Sequence, residues 1–573
     1  MSPPPPKYTD VVCIGAGLSG IAVGARLKTH YPHASAHFYD RNTDLGGTWH
    51  VNTYPGAACD VPSALYSFSF AMNAAWSCVT PSQVEIKEYV LRVAREYGIP
   101  ERTTLGAEVL GCEWVDGRGV WKVRVRRKGE GEEKGEWEHE CRVLFSAVGG
   151  LVHPNVPEVD GMGEFRGRVC HSAEWDRGIE LKGKDVVVVG NGCRSPPLYL
   201  LSTPTDRLPL GSAAQIVPAV AEVAASVTQI IRSSHWLVKA PKINYTSWIQ
   251  WIFRNIPLAN RLHRFLIFLL IEESFRLFGS SESSKRYRAR RRPVLEKYMR
   301  EASPEEYHGI LIPDYEVGCK RRVLDDGYLK SLHDPHVALV KSAITRITPT
   351  GIQTSAGSHH KAQVIIFATG FRTGYFPLPI IGKHGVSITD HFAELGGPGA
   401  YKTTAIHGFP NFFMLLGPNA ATGHTSALMA IENTVEYALR VLRPVLGRRG
   451  RTVAVEVRQE KEKEWVLNAQ SELARMVWGS GCRTWYNTES GWNAMTYPWS
   501  QAHFWWHSLW VSWDDWIVAY DEKPTLPSTK SLLMLISFIV VCVCALLFGS
   551  PVRCTVGLQR WLVGCRQEWG IYI

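Results

Sequence analysis

A short apolar strand that runs directly into a glycine-rich turn and a helix opens the chain. Residues 10–14 read D-V-V-C-I, and Gly15, Gly17 and Gly20 follow in the pattern G-x-G-x-x-G. These glycines permit a tight turn and let the backbone approach a pyrophosphate at the N-terminus of the helix. A second strand ends at Asp40, 23 residues after Gly17, where a carboxylate can accept hydrogen bonds from a ribose. The sequence therefore predicts a Rossmann-like βαβ unit that binds a dinucleotide.

A second strand and glycine turn occur further along, but this turn is interrupted. Gly190 and Gly192 are followed by 194–211, which begins R-S-P-P. Prolines lack the N–H groups that a phosphate turn uses. When these 18 residues are removed, the turn reads G-x-G-x-x-A and continues into a helix at Ser212 and Ala213. We interpret 194–211 as an in-frame intron retained in the gene sequence, which sequencing of the transcript decides; the alternative is a genuine surface loop.

The acid that ends the second strand of the first unit is replaced by a cation in the second unit. The corresponding strand ends at Arg232-Ser233, where the first unit has Asp40. Without 194–211, Arg232 lies 22 residues after Gly192, close to the spacing in the first unit. Because a guanidinium at this position suits the 2′-phosphate of NADP, we expect a different dinucleotide in each unit, with NADPH in the second.

The composition is that of a globular protein and excludes some functions. Of the 573 residues, 45% are hydrophobic and 20% are charged, and the length favours roughly two to four domains. The net charge of +10 includes a dense basic patch at 285–292, but no nucleic-acid-binding motif accompanies it, so we expect no nucleic-acid partner. The thirteen cysteines contain no C-x-x-C pair, which argues against a zinc site, and we expect no metal.

Between the two units lies a longer motif, F-x-G-x-x-x-H-x-x-x-W-D. Its specified residues are Phe165, Gly167, His171, Trp175 and Asp176. The motif resembles the hallmark of the Baeyer–Villiger type of class B flavin monooxygenases. Because it lies where the chain passes from the FAD unit to the NADP unit, we expect His171 and Trp175 to hold this crossover rather than to take part in oxygen chemistry.

Other stretches are similar to motifs of the same family. The pattern G-G-x-W-x-x-x-x-Y-P-G-x-x-x-D supplies five candidate cofactor-binding residues: Gly47, Thr48, Trp49, Tyr54 and Asp60. The resemblance implies that this stretch lies along the isoalloxazine ring, with Asp60 beside the flavin. It also assigns Lys320 to the NADP phosphate, Arg321 to the flavin edge and Trp485 to a loop that caps the nicotinamide end.

The family resemblance implies an NADPH- and O₂-dependent enzyme. A C4a-peroxyflavin would insert one oxygen atom next to a ketone carbonyl and give an ester or lactone. We expect Arg321, oriented by Asp60, to be catalytic, since a fixed positive charge stabilises an anionic peroxide and a developing oxyanion. One alternative is a monooxygenase that oxidises nitrogen or sulfur. Another is a non-catalytic, membrane-tethered flavoprotein, if 194–211 is present in the mature protein.

The predicted fold is α/β, with two Rossmann-like domains for FAD and NADP, a helical insertion and a C-terminal transmembrane helix. The predicted segments are 8–160 and 362–520 for the FAD-binding domain with its capping loop, 161–361 for the NADP-binding domain, 236–310 for the helical insertion, 531–549 for the transmembrane helix and 550–573 for the tail.

The C-terminal prediction rests on eighteen apolar or small residues, 531–548, without a charge. At 1.5 Å per residue they span about 27 Å, the thickness of an endoplasmic reticulum bilayer; the alternative is a buried core helix. The N-terminus has no apolar run typical of a secretory signal. We therefore expect a single-pass anchor, with the catalytic domain in the cytosol, and a lipophilic ketone substrate, such as an intermediate of secondary metabolism.

Overall fold

The structure is a computed structural model that describes most of the chain. The described residues are 6–127, 135–150, 153–190, 206–208, 212–373, 378–447, 452–481, 484, 486–488 and 490–520. Met1–Ala519 forms one compact unit and Tyr520–Ile573 a second, of which only Tyr520 is described.

The strands are numbered in chain order. They are β1 (Tyr8–Ile14), β2 (Ala36–Asp40), β3 (Thr103–Leu105), β4 (Ala107–Val115), β5 (Val120–Arg127), β6 (Gly135–Ser146), β7 (Arg168–His171), β8 (Asp185–Val189), β9 (Asp206–Leu208), β10 (Ser226–Ile231), β11 (Leu237–Lys239), β12 (Val323–Asp325), β13 (Val337–Lys341), β14 (Ile344–Thr348), β15 (Gly351–Thr354), β16 (His359–Lys361), β17 (Val364–Phe367), β18 (Phe371–Thr373), β19 (Ile380–Ile381), β20 (Phe412–Met414), β21 (Thr452–Val457) and β22 (Trp516–Tyr520).

The α-helices are numbered in the same way. They are α1 (Leu18–His30), α2 (Thr48–Val51), α3 (Gln83–Glu96), α4 (Ser212–Ala221), α5 (Ser247–Asn255), α6 (Ala259–Glu272), α7 (Glu282–Ala302), α8 (His308–Leu311), α9 (Tyr328–Ser331), α10 (Ile388–Leu395), α11 (Ala427–Val441), α12 (Arg443–Leu446), α13 (Gln459–Ala474) and α14 (Gln501–Ser508).

The first sheet has the order β19-β4-β5-β6-β1-β2-β3, and β20 also pairs with β6. Strand β1 lies between β6 and β2 and is parallel to both. Its residues Val11, Val12 and Cys13 are fully buried, as expected for a strand covered on both faces. Helix α1 follows β1 after three residues and packs Ile21 and Val23 into the same core. This strand–turn–helix places the first glycine turn at the carboxyl end of the sheet.

The second sheet has the order β13-β10-β8-β17-β7, and all of its pairs are parallel. Its central strand β8 contributes the buried residues Val186, Val187 and Val188. Helix α4 packs on this sheet through Ile216 and Val217. The second glycine turn therefore also lies at the carboxyl end of a central parallel strand, the usual place for a ligand in such sheets.

The crossover motif contributes the edge strand β7 of the second sheet. His171 is buried, its Nδ1 accepts a hydrogen bond from the backbone N–H of Ala173 (3.1 Å), and its ring meets that of Phe371 edge-on. Trp175 packs against the core of the second sheet. These positions agree with a packing role, which stays a prediction.

The helical insertion α5–α7 contacts the core of the first sheet through Arg264 on α6. Arg264 donates hydrogen bonds to the carbonyl oxygens of Ala64 (2.6 Å) and Ser67 (2.7 Å) and forms an ion pair with Glu432 (3.5 Å). Both charged side chains are largely buried, so the pair holds α6 in one position against α11.

The fold class requires one correction. In the part of the chain that the structure describes, no helix is both long and apolar enough to cross a bilayer. The longest described helix, α7, has 21 residues but is rich in arginine, and the apolar helix α6 has only 14 residues, about 21 Å. The prediction of a transmembrane helix is therefore wrong, and so are the membrane anchor and the membrane localisation that were derived from it. The segments on which they rested, 531–549 and 550–573, lie outside the described residues.

The proposed intron also falls mainly outside the described residues. Of 194–211, only 206–208 is described, as strand β9, whose backbone pairs with β18 in antiparallel orientation. The interpretation of 194–211 as a retained intron stays a prediction.

Candidate functional site

A cavity of about 450 Å³ begins at the first glycine turn and extends toward the second sheet. It brings together residues that are up to 481 positions apart in the sequence, from Ile14 to Met495. The predicted site residues that line it are Gly15, Gly17, Asp40, Gly47, Thr48, Trp49, Tyr54, Asp60 and Arg321.

The first glycine turn leaves no room for side chains. Gly15 has φ of +104°, and a Cβ on it would lie 2.4 Å from the carbonyl oxygen of Ala147. A Cβ on Gly20 would lie 2.0 Å from the carbonyl oxygen of Gly15. Gly17 is the N-cap of α1 and provides no side-chain cap, so the first N–H groups of the helix remain for a ligand. The turn thus fits a dinucleotide pyrophosphate.

Asp40 is buried at the end of β2 and supports this turn. Its Oδ2 accepts a hydrogen bond from the backbone N–H of Ala16 (2.8 Å), and its Oδ1 accepts from the backbone and side chain of Asn42 (both 2.9 Å). A carboxylate can accept about four hydrogen bonds, so one further contact is available to a ribose. That contact stays a prediction.

The stretch after the first glycine turn forms one wall of the cavity. Gly47, with φ of +53°, begins α2, and Thr48 and Trp49 form its first turn. The Trp49 indole N–H donates to the hydroxyl of Tyr66 (2.9 Å), so its polar atom is satisfied within the protein. Trp49 therefore presents a fixed, mainly apolar ring edge to the cavity.

Arg321 and Asp60 meet in the cavity wall although they are 261 positions apart. The Nε and Nη2 of Arg321 donate to Oδ2 of Asp60 at 3.0 and 2.5 Å. The carboxylate raises the pKa of the guanidinium above its ordinary value. The arginine is therefore charged and oriented, and among the described residues its Nη1 has no partner.

The second glycine turn is built like the first. Gly190 has φ of +120°, and a Cβ on it would lie 2.4 Å from the carbonyl oxygen of Ala368, as in the contact of Gly15 with Ala147. Its N–H donates to Ile230 (2.9 Å) at the end of the neighbouring strand, as that of Gly15 donates to Tyr39 (2.7 Å). The structural repeat supports a second nucleotide site, although Gly192 lies outside the described residues.

Arg232 offers a buried donor to that second site. Among the described residues, its Nη1 is buried without a hydrogen-bond partner, and burial lowers the pKa of the guanidinium. Such a donor fits the 2′-phosphate of NADP. Lys320 lies over the ring of Tyr315 (4.5 Å), and the hydroxyl of Tyr315 donates to the backbone of Ser234 (3.0 Å). Lys320 is thus held beside the loop that follows Arg232.

Helix α4 begins at Ser212 and Ala213, which are both buried, and its Gln215 lines the cavity. Gln215 accepts a hydrogen bond from the hydroxyl of Tyr54 (2.9 Å) and donates to the carbonyl of Ala58 (3.0 Å). This junction connects the helix of the second turn to the loop that carries Asp60. Gln215 is not among the residues predicted from the sequence, because nothing in the local pattern indicates its contact with Ala58, 157 positions away.

His235 was also missed. It lines the cavity, is 2% exposed, and among the described residues neither ring nitrogen has a partner. Burial, with a smaller effect from Lys320, lowers the pKa of its imidazole to about 3, so the ring is neutral. Its position three residues after Arg232 is the signal that could have identified it. Of the predicted capping loop, Trp485 lies outside the described residues, whereas Tyr486 is buried and close enough to Arg321 to affect the pKa of Arg321.

Two glycine turns with the same backbone contacts, together with a cavity that holds an oriented arginine, are typical of an oxidoreductase that binds two dinucleotides. The comparisons with known proteins agree. Residues 13–79 match the model of an NAD(P)-binding Rossmann-like domain. A Baeyer–Villiger monooxygenase from Pseudomonas aeruginosa is 30% identical over 502 residues, covering 87% of this chain and 89% of the relative. The FAD-binding monooxygenase tazF from Aspergillus terreus is 31% identical over 519 residues, covering 87% of each.

Solved structures extend the likeness to the fold. The closed structure of cyclohexanone monooxygenase has a TM-score of 0.75 at 23% identity and covers 90% of this chain and 99% of its own. Oxidised steroid monooxygenase bound to NADP has the same TM-score and identity and covers 90% and 100%. The chain belongs to the Baeyer–Villiger monooxygenase family.

Proposed function

We propose that the chain is an NADPH- and O₂-dependent flavin monooxygenase that inserts one oxygen atom next to a ketone carbonyl. The observation that carries this proposal is the Arg321–Asp60 pair, held in the wall of the cavity that begins at the first phosphate turn. The chain is an enzyme, and the interpretation as a non-catalytic flavoprotein is wrong.

The cofactors are FAD and NADPH. We assign FAD to the half built on the first sheet, 8–160 and 362–520, and NADPH to the half built on the second sheet, 161–361. FAD, reduced by NADPH, supplies the oxygen-activating chemistry when it is bound. Gly15 and Gly17 would hold its pyrophosphate through their backbone at the N-terminus of α1. A Cβ on Gly15 would lie 2.4 Å from the carbonyl oxygen of Ala147, and a Cβ on Gly17 would lie 3.3 Å from Cα of Gly47.

NADPH is held by cations of the second half. Arg232 provides a buried N–H group without a partner among the described residues, and Lys320 adds a positive charge nearby. Ser233 follows Arg232 directly and supplies a hydroxyl at the same loop. Gln215 joins α4, the helix that follows the second glycine turn, to the loop before Asp60, which is the residue that orients Arg321.

Arg321 stabilises the negative charge that develops on the ketone oxygen during oxygen insertion. Asp60 occupies Nε and Nη2, which fixes the plane of the guanidinium before the substrate arrives. A preorganised donor of this kind is worth about 3–4 kcal/mol in the transition state. Apolar side chains around the same cavity, including Val61, Leu416 and Met495, suit a ketone with a hydrocarbon skeleton.

The reaction type is tested with the purified enzyme, NADPH and O₂, by offering a cyclic ketone and a thioether separately. We expect mass spectrometry to detect the lactone, with a mass increase of one oxygen atom, at a higher rate than the sulfoxide. Formation of the sulfoxide alone would indicate heteroatom oxidation and contradict the proposal.

A further inference from the structure

A second arginine lies beside the catalytic pair. Arg322 follows Arg321 and lines the same cavity, where it is half-buried. Asp60 pairs with Arg321. Among the residues that the structure describes, Arg322 has neither an ion pair nor a hydrogen bond. The cavity therefore contains one guanidinium that is neutralised by the protein and one that is not.

The surroundings of Arg322 add to its positive charge. The guanidinium groups of Arg276, which precedes α7, and of Arg291 on α7 both lie over the ring of Tyr287, at 5.2 and 5.1 Å. The pKa of Arg322 is lowered, first by burial and further by Arg291 and Arg321, whereas Tyr287 acts in the opposite direction. An uncompensated charge in such a place is costly, so binding of an anion would be favourable.

Arg322 has different charged and aromatic neighbours from Lys320, the cation assigned to the cofactor's 2′-phosphate. Lys320 contacts Tyr315, which bonds to Ser234, and Lys320 also affects the pKa of His235. The charged neighbours of Arg322 are instead Arg321 and α7. This favours an anion close to the reacting ketone over a phosphate of the dinucleotide.

We propose that Arg322 binds a carboxylate of the substrate, so that the ketone oxidised by this enzyme carries an acidic group on an apolar skeleton. The proposal rests on the proposed function and specifies its substrate class. The planar fork of a guanidinium matches a carboxylate with two parallel hydrogen bonds. Val323 and Leu324, next to Arg322 in the cavity wall, contact the hydrocarbon part.

The test compares binding of two ligands to the FAD-loaded enzyme by isothermal titration calorimetry. The ligands are a cyclopentanone with an acetate side chain and the methyl ester of the same compound. We expect Arg322→Gln to weaken binding of the acid about 10- to 100-fold and to leave binding of the ester unchanged, as for loss of a charged hydrogen bond. The matched control is Arg286→Gln, which removes a charge from the exposed side of α7 and keeps wild-type affinities.

Two results would overturn the role proposed for Arg322, and a third would count against the proposed function alone. Equal affinity of the wild type and Arg322→Gln for the acid overturns the proposal. A selective loss of NADPH affinity relative to NADH, with the ratio of acid to ester unchanged, assigns the anion to the cofactor phosphate and also overturns it. If Arg322→Gln fails to fold, Arg322→Lys is measured instead. Lysine keeps the charge without the planar fork, so we expect its affinity for the acid to lie between that of the wild type and the weakened affinity expected for Arg322→Gln. Failure of the wild type to convert the ester to a lactone counts against the proposed function, while the binding result still decides the role of Arg322.

Discussion

At the scale of single residues, two histidines on the two strands of the first sheet that flank β1 are kept neutral by burial. His37 lies on β2 and His139 on β6, and burial lowers the pKa of each to about 4. The hydroxyl of Tyr39 donates to Nδ1 of His139 (2.8 Å), and Nε2 of His139 donates to the hydroxyl of Thr9 (3.0 Å). The neutral ring of His139 on β6 thus completes a buried chain of hydrogen bonds with Tyr39 on β2 and Thr9 on β1. A protonated ring could not accept a hydrogen bond from Tyr39.

This arrangement predicts loss of stability in acid. The unfolded histidines have a pKa of about 6.5 and bind protons first as the pH falls, so the free energy of unfolding decreases between about pH 6.5 and 4. For His139 the loss is at most about 3 kcal/mol. Urea unfolding at pH 7.5, 6 and 5 measures it. We expect His139→Gln to lower the free energy of unfolding at pH 7.5 and to reduce its dependence on pH. The control is His359→Gln, at an exposed position, which should keep the wild-type pH dependence. An unchanged slope in His139→Gln would contradict this account.

At the scale of elements, the junction between α4 and the loop after α2 links the two nucleotide sites. Gly56 has φ of +81°, and a Cβ on it would lie 2.5 Å from the carbonyl oxygen of Gln215. Tyr54 and Gln215 bond across the same junction. The close contact of backbone with backbone leaves no flexible side chain that could move aside.

Gly56→Ala should therefore displace α4, and a control separates this effect from backbone strain. Gly106 also has positive φ, +65°, but a Cβ on it would meet nothing within 4 Å. Both alanine substitutions cost about 1 kcal/mol because alanine disfavours the left-handed region. We expect Gly56→Ala to cost a further 1–3 kcal/mol, roughly, from overpacking. Thermal unfolding measures both variants; equal losses would show that the junction tolerates the added methyl group.

Some of these features could be predicted from the sequence, and others could not. The first glycine turn and the end of β2 were predictable, because a strand, a glycine pattern and an acid at fixed spacing are local features. The pairing of Asp60 with Arg321 was expected from the family motifs. Gln215 and His235 could not be found in this way, since their importance depends on packing between distant segments. The transmembrane prediction failed because it rested on the hydropathy of one run of residues, and hydropathy alone does not distinguish a membrane span from other apolar segments.

At the scale of the whole molecule, we assign electron transfer and oxygen transfer to separate residues of one chain. Gly15 and Gly190 of the two glycine turns have the same backbone contacts, and we assign one dinucleotide to each turn. The Arg321–Asp60 pair, by contrast, belongs to neither turn and lies in the wall of the cavity that begins at the first turn. Removal of the arginine should therefore leave the turns intact while it disables the oxygenation that follows electron transfer.

The central claim is tested most directly by measuring NADPH oxidation and product formation together in Arg321→Ala. We expect the purified variant to retain FAD and to oxidise NADPH, while the yield of ester or lactone per NADPH falls at least about 100-fold, as for loss of a preorganised charged donor. Arg286→Ala, at an exposed position on α7, is the control and keeps the wild-type yield. A normal product yield in Arg321→Ala would contradict the role assigned to the Arg321–Asp60 pair.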